Sequence, residues 1–322
     1  MTPIMLSRLR TVLLCLVAVA ATLPLSSCRK LKEAEKGAAT PVRISVSLPQ
    51  PLKTKAFNDG KSATDLHFRA YRVVEGGAEY LPGLSQDISN AFDASLKAEI
   101  STSVLSGYTY HFVFWAQSPN AVGTYDLSSL DSTQPYVGVD YSTMVNSDER
   151  MDAFTVTKLN YSVSVDGDLS LVLTRPLAQL NFGTTDADWT DAANSGVQID
   201  ITSCAFKDAY TRYYPLSGGV SHPVNVTFAS AFIPDETLVV DNNPYHWLSM
   251  NYILVPVGKT LTDVSMELKM GDRHIHDVAV PNVPVQRNYR TNILGGRLIT
   301  SSTTISIILD PVFTDDYDLD AF

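Results

Sequence analysis

The chain lacks the motifs that usually mark an enzyme. It has no G-x-S-x-G nucleophile elbow, no H-E-x-x-H zinc motif and no C-x-x-C pair. The Gly-Lys-Ser at 60–62 is not a phosphate-binding loop, because Lys55 stands where that loop needs its first glycine. The sequence therefore predicts a protein that is not an enzyme and that uses no cofactor.

Basic residues are also fewer than acidic ones. The 322 residues contain 24 lysines and arginines against 34 acidic residues, a net charge of −10. Without residues 1–27, which carry two arginines and no acid, 22 basic residues face 34 acidic ones and the net charge is −12. This balance argues against nucleic acid and anionic lipid surfaces as partners.

The N-terminus indicates export. Arg8 and Arg10 precede the apolar run TVLLCLVAVAATLPL, which is short and early for a membrane span. The run ends in LSSC, Leu25 to Cys28, which resembles the lipobox of bacterial lipoproteins. The resemblance implies a signal peptide over residues 1–27 and lipid attachment at Cys28, with palmitate among the acyl chains.

Cysteine is scarce as well. Of three cysteines, Cys15 would leave with the signal peptide and Cys28 would carry lipid, so Cys204 is the only remaining thiol. An intramolecular disulfide is then excluded, and packing and backbone pairing must supply the stability. Cys204 lies in the strand-like run IDITSCAF, where we expect a small buried apolar side chain.

Two segments follow the signal peptide. Residues 28–41 are charged and have no apolar periodicity, which predicts a tether between the lipid and the fold. An alternating pattern over residues 42–48 then predicts a half-buried strand. Its buried face would consist of four aliphatic side chains, Val42, Ile44, Val46 and Leu48.

The remainder of the chain predicts an all-β fold. Strand-like runs include DLHFRAYRVV, YTYHFVFWAQ, SVSVDGDLSLVLT, QLNFGT, VSMELKM and TISIIL. They are rich in Val, Ile, Thr and Tyr and are separated by turn residues, as in antiparallel sandwiches. Pro176 cannot donate to a central ladder, so we place a boundary there between two sandwiches, 42–175 and 176–322. A short helix is expected at TDADWTDAANSG.

Two patterns superficially suggest metal ligands. His274 and His276 would share one face of a strand, but no third ligand is evident, so we interpret them as polar surface residues. The terminal TDDYDLDAF has aspartates at alternate positions, yet Ala321 replaces the glycine that a calcium loop needs, so we interpret it as an acidic tail. No metal site is predicted.

Aromatic residues leave one alternative function open. The chain has three tryptophans, Trp115, Trp189 and Trp247, and 15 tyrosines. Exposed aromatic rings can form a platform for sugars, whereas buried ones belong to β cores. The alternative is therefore a surface adhesin or glycan-binding lipoprotein that does not polymerise and that binds a host or bacterial surface ligand.

Several stretches together resemble the fimbrillins of Bacteroidales, the type V pilins and their minor subunits. They are, in order, the lipobox, the alternating strand, TKAF at 54–57, RPLAQLNF at 175–182, VPVQRNYRTNILGGRLIT at 283–300 and ISIILDPVF at 305–313. The resemblance spans nearly the whole chain. It implies two transthyretin-like β-sandwiches, export as an outer-membrane lipoprotein, and cleavage after the first strand by a trypsin-like protease.

The resemblance also implies where processing occurs. Cleavage would fall between Lys55 and Ala56, although lysine stands where the family often has arginine. Lys53 is a second position, and Arg43 is disfavoured because it lies within the predicted strand. Without cleavage, the segment is only a basic loop.

Strand exchange is the mechanism that the resemblance implies. Removal of residues 42–48 would open a groove that a strand from a neighbouring subunit can fill. Ile305, Ile307 and Leu309 alternate in the same way, so the C-terminal segment is either a donor strand or the last strand of the second sandwich. The predicted function is that of a cell-surface fimbrial subunit that acts in adhesion and has other fimbrial subunits as partners.

Overall fold

The computed structural model describes residues 37–49, 61–121, 123–300 and 305–310. The strands are β1 Ala39–Ser47, β2 Asp65–Val74, β3 Gly77–Tyr80, β4 Gln86–Ile88, β5 Lys97–Leu105, β6 Tyr110–Gln117, β7 Tyr125–Asp126, β8 Val137–Val139, β9 Ala153–Tyr161, β10 Leu169–Val172, β11 Leu177–Thr184, β12 Ile201–Tyr214, β13 Gly219–Thr227, β14 Ala231–Phe232, β15 Thr237–Val240, β16 Asn243–Leu254, β17 Thr260–Met270, β18 Arg273–Val285, β19 Arg290–Gly295 and β20 Ile305–Asp310. The helices are α1 Val163–Asp166 and α2 Asp186–Asn194, with short 3-10 turns at Ser128–Asp131, Tyr141–Thr143 and Glu149–Met151. The predicted all-β class is confirmed.

The first sandwich packs two sheets around an aromatic core. One sheet has the order β10-β1-β5, and the other has the order β3-β2-β6-β9 with β4 beside β2. Between them, Phe68 stacks on Phe114 at a centroid distance of 4.9 Å and meets Phe112 edge-on at 5.4 Å. These rings come from alternate positions of β2 and β6, as a sheet with one buried face requires.

The second sandwich is larger. One sheet has the order β15-β16-β11-β19-β20, and the other contains β18, β17 and β12, with β13 and β14 also paired to β12. Strand β11 is buried along its whole length, and its sequence LAQLNFGT accordingly contains no charged residue. It begins directly after Pro176, where a strand tolerates a residue without an N–H group.

The segment between β6 and β9 crosses from the first sandwich into the second. Strand β8 pairs with β12, and β7 pairs with β8. Asn146 lies in the core of the second sandwich, where its amide donates to Thr202 Oγ1 at 2.7 Å and its Oδ1 accepts from Ser249 Oγ at 2.9 Å. The boundary predicted at Pro176 assigns this segment to the first sandwich, whereas its buried side chains belong to the core of the second sandwich. A division of the chain at residue 176 stays a prediction.

Two further differences from the expected pattern concern β10. The run at 162–174, expected as one strand, contains α1, a turn at Gly167 with φ +63°, and only then β10. Strand β10 also runs parallel to β1, and β11 runs parallel to β19, so not every strand pair is antiparallel. The helix expected at 185–196 is present as α2, with the Thr185 side chain capping its N-terminus.

Candidate functional site

Strand β1 is the middle strand of its three-stranded sheet. It pairs antiparallel with β5 from Ala39 opposite Leu105 to Ser47 opposite Lys97, and parallel with β10 from Ile44 opposite Leu169 to Ser47 opposite Val172. In the described part of the chain, β5 and β10 have no other ladder partner. The two outer strands would therefore both have open edges if β1 were absent.

The predicted aliphatic face of β1 points into the core. Val42 and Leu48 are 1% exposed, and Ile44 and Val46 are fully buried. They belong to the same apolar cluster as the rings of Phe68, Phe112 and Phe114. The strand therefore contributes both backbone hydrogen bonds and core packing to the first sandwich.

Contacts that do not involve β1 hold both ends of β10. On one side, the Tyr161 hydroxyl donates to the Gly167 carbonyl oxygen at 2.8 Å. Burial raises the pKa of Tyr161 to about 12, so this donor keeps its proton at physiological pH. On the other side, Thr155 and Thr174 exchange two backbone hydrogen bonds of 2.8 and 3.0 Å.

Strand β5 is held in the same manner. At its start, the Lys97 N–H donates to Asp93 Oδ1 at 3.0 Å, and the Asp93 N–H donates to the Lys97 carbonyl oxygen at 2.8 Å. At its end, the Tyr110 hydroxyl accepts from the Leu105 N–H at 3.0 Å and donates to the Leu105 carbonyl oxygen at 3.1 Å. The Asp93 contacts close the turn before β5, and the Tyr110 contacts tie the end of β5 to β6. None of these contacts involves β1.

The candidate donor strand lies in the second sandwich. Strand β20 pairs antiparallel with β19 over six residue pairs, from Ile305 opposite Gly295 to Asp310 opposite Arg290. Ile305 and Ile307 are partly buried and pack against the second core, and Leu309 is partly buried as well. Among the described strands, β20 is at the edge of its sheet.

The predicted processing residues lie outside the described part of the chain. This holds for the lipid-attachment residue Cys28 and for the cleavage positions Lys53, Lys55 and Ala56. The acidic tail, with Asp316, Asp318 and Asp320, lies outside it as well. Lipid attachment and cleavage therefore stay predictions.

Cys204 is a buried core residue. It is 1% exposed, and its sulfur lies 3.0 Å from the Ser249 hydroxyl oxygen. Burial raises the pKa of the thiol to about 12, so the thiol stays neutral and is a poor nucleophile. Cys204 thus occupies the small, buried position that the sequence predicts.

The two neighbouring histidines do not converge on a common site. His274 is half-exposed, with its Nε2 3.0 Å from Asp277 Oδ1, and the His276 Nε2 is buried without a described partner. In the described ranges, no group of three or more His, Cys, Asp or Glu residues could hold a metal ion. None of the helices described here has the length and apolar composition needed to cross a bilayer.

Sequence reasoning missed the part that β10 plays beside β1. Leu169, Leu171 and Leu173 alternate as a β-strand requires, which is the signal for the strand itself. Its parallel pairing with β1 joins residues that lie 125 positions apart in the chain, and no local sequence pattern encodes such a pairing. Asp168, just before β10, was also missed, and its Oδ1 accepts a hydrogen bond of 2.9 Å from the Arg43 N–H.

Comparison with solved structures yields bacterial proteins that are described as adhesins and fimbrial proteins. The putative adhesin from Bacteroides thetaiotaomicron is 10% identical with a TM-score of 0.50, over 84% of this chain and 96% of that chain. The tip fimbrial protein Mfa3 from Porphyromonas gingivalis is 13% identical with a TM-score of 0.48, over 84% and 100%. The fimbrial anchor protein Mfa2 from the same organism is 11% identical with a TM-score of 0.41, over 84% and 97%. At such identities, the first of these similarities supports a shared fold and nothing more.

No curated protein matches the sequence. One protein family does match, over residues 34–321, which includes both sandwiches. The chain therefore belongs to the family of unknown function DUF6562.

Proposed function

We propose that the protein is a fimbrial subunit of the bacterial cell surface that accepts a strand from a neighbouring subunit in place of β1. In this proposal, the chain is exported as a lipoprotein, attached to the outer membrane through Cys28, and cut between Lys55 and Ala56 by a trypsin-like protease. The adhesin and fimbrial descriptions of similar folds are consistent with such a role.

The observation that carries the proposal is the independent anchoring of β5 and β10. Hydrogen bonds from Tyr161 and Thr155 tie β10 to β9, and those of Tyr110 tie β5 to β6. Loss of β1 would therefore leave two fixed walls with open backbone edges, a geometry that favours the addition of a strand.

The energetic consequence of removing β1 is large. Exposure of four buried aliphatic positions would cost about 6–12 kcal/mol at about 1.5–3 kcal/mol for each, an upper estimate for an extended reference chain. Unpaired donors and acceptors along both edges add to this cost. A cut subunit would lower its free energy by binding any strand with the same alternation of apolar residues.

The properties of β20 favour a subunit that accepts a strand over one that donates β20. It offers three aliphatic residues on one face, Ile305, Ile307 and Leu309, whereas β1 and the residue after it fill four positions. Donation of β20 would also break six residue pairs with β19 and expose the second core. We therefore propose that β20 stays in place and that another subunit supplies the strand.

The test is controlled cleavage of the purified protein without its lipid. A lysine-specific protease should cut after Lys55, and the severed segment should be released in mild denaturant. Addition of a synthetic peptide of residues 40–49 during refolding should then yield a complex that is stable in mild detergent. A variant in which Lys53, Lys55 and Lys61 are all replaced by alanine should remain uncut between β1 and β2 and bind no peptide. Lys53→Ala, which keeps Lys55, should behave like the wild type. A peptide with Ile44 and Val46 replaced by aspartate is the matched control and should not bind. Equal binding of the two peptides, or no binding to the cut protein, would refute strand exchange at this site.

A further inference from the structure

Trp189 is placed differently from the other two tryptophans. Trp115 and Trp247 lie in cores, at 1% and 5% exposed, whereas Trp189 on α2 is only partly buried. Its indole stacks on the His246 ring at a centroid distance of 4.6 Å and an interplanar angle of 12°. The His246 Nε2 in turn lies 3.1 Å from Asp186 Oδ1, on the same helix as Trp189. The indole ring is therefore fixed in orientation without being enclosed.

A cavity of about 350 Å³ adjoins this ring. It lies between α2, the loop that leads into β12, and the end of β17, and small side chains of Ala192 and Ala193 form part of its wall. Its size falls within the range of about 300–1,000 Å³ that small-molecule sites usually have. The indole and the Met270 side chain give it apolar surface as well.

Two polar side chains line the same cavity. Gln198 is exposed, and its amide can both donate and accept hydrogen bonds. The Asp200 carboxylate is oriented by the Gly271 N–H, which donates to its Oδ1 at 2.8 Å. Because a carboxylate has about four acceptor positions, this one retains capacity for a ligand hydroxyl.

An ordered aromatic ring beside planar polar side chains can bind both the apolar face and the hydroxyl groups of a sugar. The C–H groups of a pyranose ring pack on an indole, and its hydroxyls pair with amides and carboxylates. The aspartates of the helix and of the loop, among them Asp186, Asp191 and Asp200, make the local charge negative. Sulfated or uronic sugars would be repelled from such a surface.

We propose that the cavity beside Trp189 binds a neutral saccharide ring, with Trp189 as the stacking platform and Gln198 and Asp200 as hydroxyl partners. This site is far in sequence from β1 and does not depend on strand exchange. A failure of the cleavage experiment would therefore leave it unaffected, and a failure of sugar binding would leave strand exchange unaffected.

The test is calorimetric titration of the full lipid-free protein with named oligosaccharides. The neutral probes are mannohexaose, maltohexaose and chitohexaose, and the anionic probes are polygalacturonate and a heparin hexasaccharide. We expect at least one neutral probe to bind and the anionic probes not to bind. Because the other two tryptophans are buried, a change in the intrinsic fluorescence of the wild type should accompany binding.

Three variants distinguish binding at this cavity from nonspecific binding elsewhere on the protein. Trp189→Ala should weaken binding by about tenfold or more, on the basis of about 1.4 kcal/mol for each factor of ten. Gln198→Ala, at an exposed position that folding tolerates, should also weaken it. Phe232→Ala is the matched control, since Phe232 is an aromatic residue that is 73% exposed and lies outside the cavity. Absence of binding by all neutral probes, equal binding of the anionic probes, or unchanged affinity in both cavity variants would overturn the proposal.

Discussion

Asp152 and Arg175 form a buried bidentate ion pair where the chain passes between the two sandwiches. The Arg175 Nε lies 2.9 Å from both carboxylate oxygens, its Nη2 lies 2.7 Å from Oδ2, and both side chains are at most 3% exposed. The guanidinium also lies over the Phe154 ring at 4.5 Å. Asp152 directly precedes β9 and Arg175 precedes β11, so the pair joins one sheet of each sandwich.

Removal of one member of this pair should destabilise the protein strongly. We expect Asp152→Ala to lower the free energy of unfolding by about 3–5 kcal/mol, because it leaves a buried guanidinium without its counter-ion. Urea denaturation followed by circular dichroism measures this. Lys207→Ala, which removes the exposed partner of Asp263, is the control and should change the free energy of unfolding little. Similar losses in the two variants would contradict this account of the pair.

The burial of Ile44 gives a prediction in which the size of the effect depends on cleavage. In the uncut protein, Ile44→Ala should lower the free energy of unfolding by about 2–5 kcal/mol, because it leaves a cavity in the first core. After cleavage at Lys55 and release of the strand, wild type and variant should be equally stable, since the altered residue has left with it. Ser45→Ala on the opposite face should change the uncut protein by about 0.5 kcal/mol or less. A difference that persists after release of the strand would show that the residue acts elsewhere.

The thiol of Cys204 should be inert in the folded protein. A chain that begins after Cys28 has no other cysteine, so a colorimetric thiol reagent reports this residue alone. We expect no reaction under native conditions and one equivalent in concentrated guanidinium chloride, because the side chain is buried and burial raises the pKa of the thiol to about 12. Introducing an exposed thiol by Ser103→Cys on β5 provides the positive control. Rapid native reaction of Cys204 would mean that the second core opens readily.

The stability of the first sandwich should fall as the pH drops below the ordinary range of histidine. The Asn160 N–H donates to His111 Nδ1 at 3.1 Å, and burial lowers the pKa of His111 in the folded state. Folding therefore favours the neutral ring, so this contribution is complete above the unfolded pKa of about 6.5 and is lost as the pH falls through that value and below. Between about pH 8 and about pH 5, the midpoint of thermal unfolding should fall more in the wild type than in His111→Gln, which keeps an acceptor but does not titrate. Equal falls would exclude His111 as a cause.

The sequence patterns predict the long strands well because those strands have one strongly apolar face. The run at 65–74 coincides with β2, and the alternation at 42–48 lies on β1 with the expected face buried. The short strands β7 and β8 escape prediction, since two or three residues in a polar connection have no measurable period. Their burial comes from β12, which lies far along the chain.

Both candidate sites also depend on contacts between residues that are distant in the sequence. The aliphatic face of β1 follows from local alternation, but its position between β5 and β10 follows from pairings across 50 to 125 residues. The cavity beside Trp189 likewise requires Trp189, Gln198 and Met270 to come together from three separate elements. The sequence indicates that exposed aromatic residues could matter, whereas only the fold distinguishes Trp189 from the two tryptophans in the cores.

The crossing segment between β6 and β9 has a mechanical consequence. A tensile load that pulls the two sandwiches apart must peel β8 from β12 and extract the Asn146 side chain, in addition to straining the Arg175 connection. The chain passes between the sandwiches three times: from β6 into the crossing segment, from this segment back into β9, and from β10 into β11. The load is therefore shared among three covalent connections. We therefore expect the two sandwiches to resist stretching together, without a soft hinge between them.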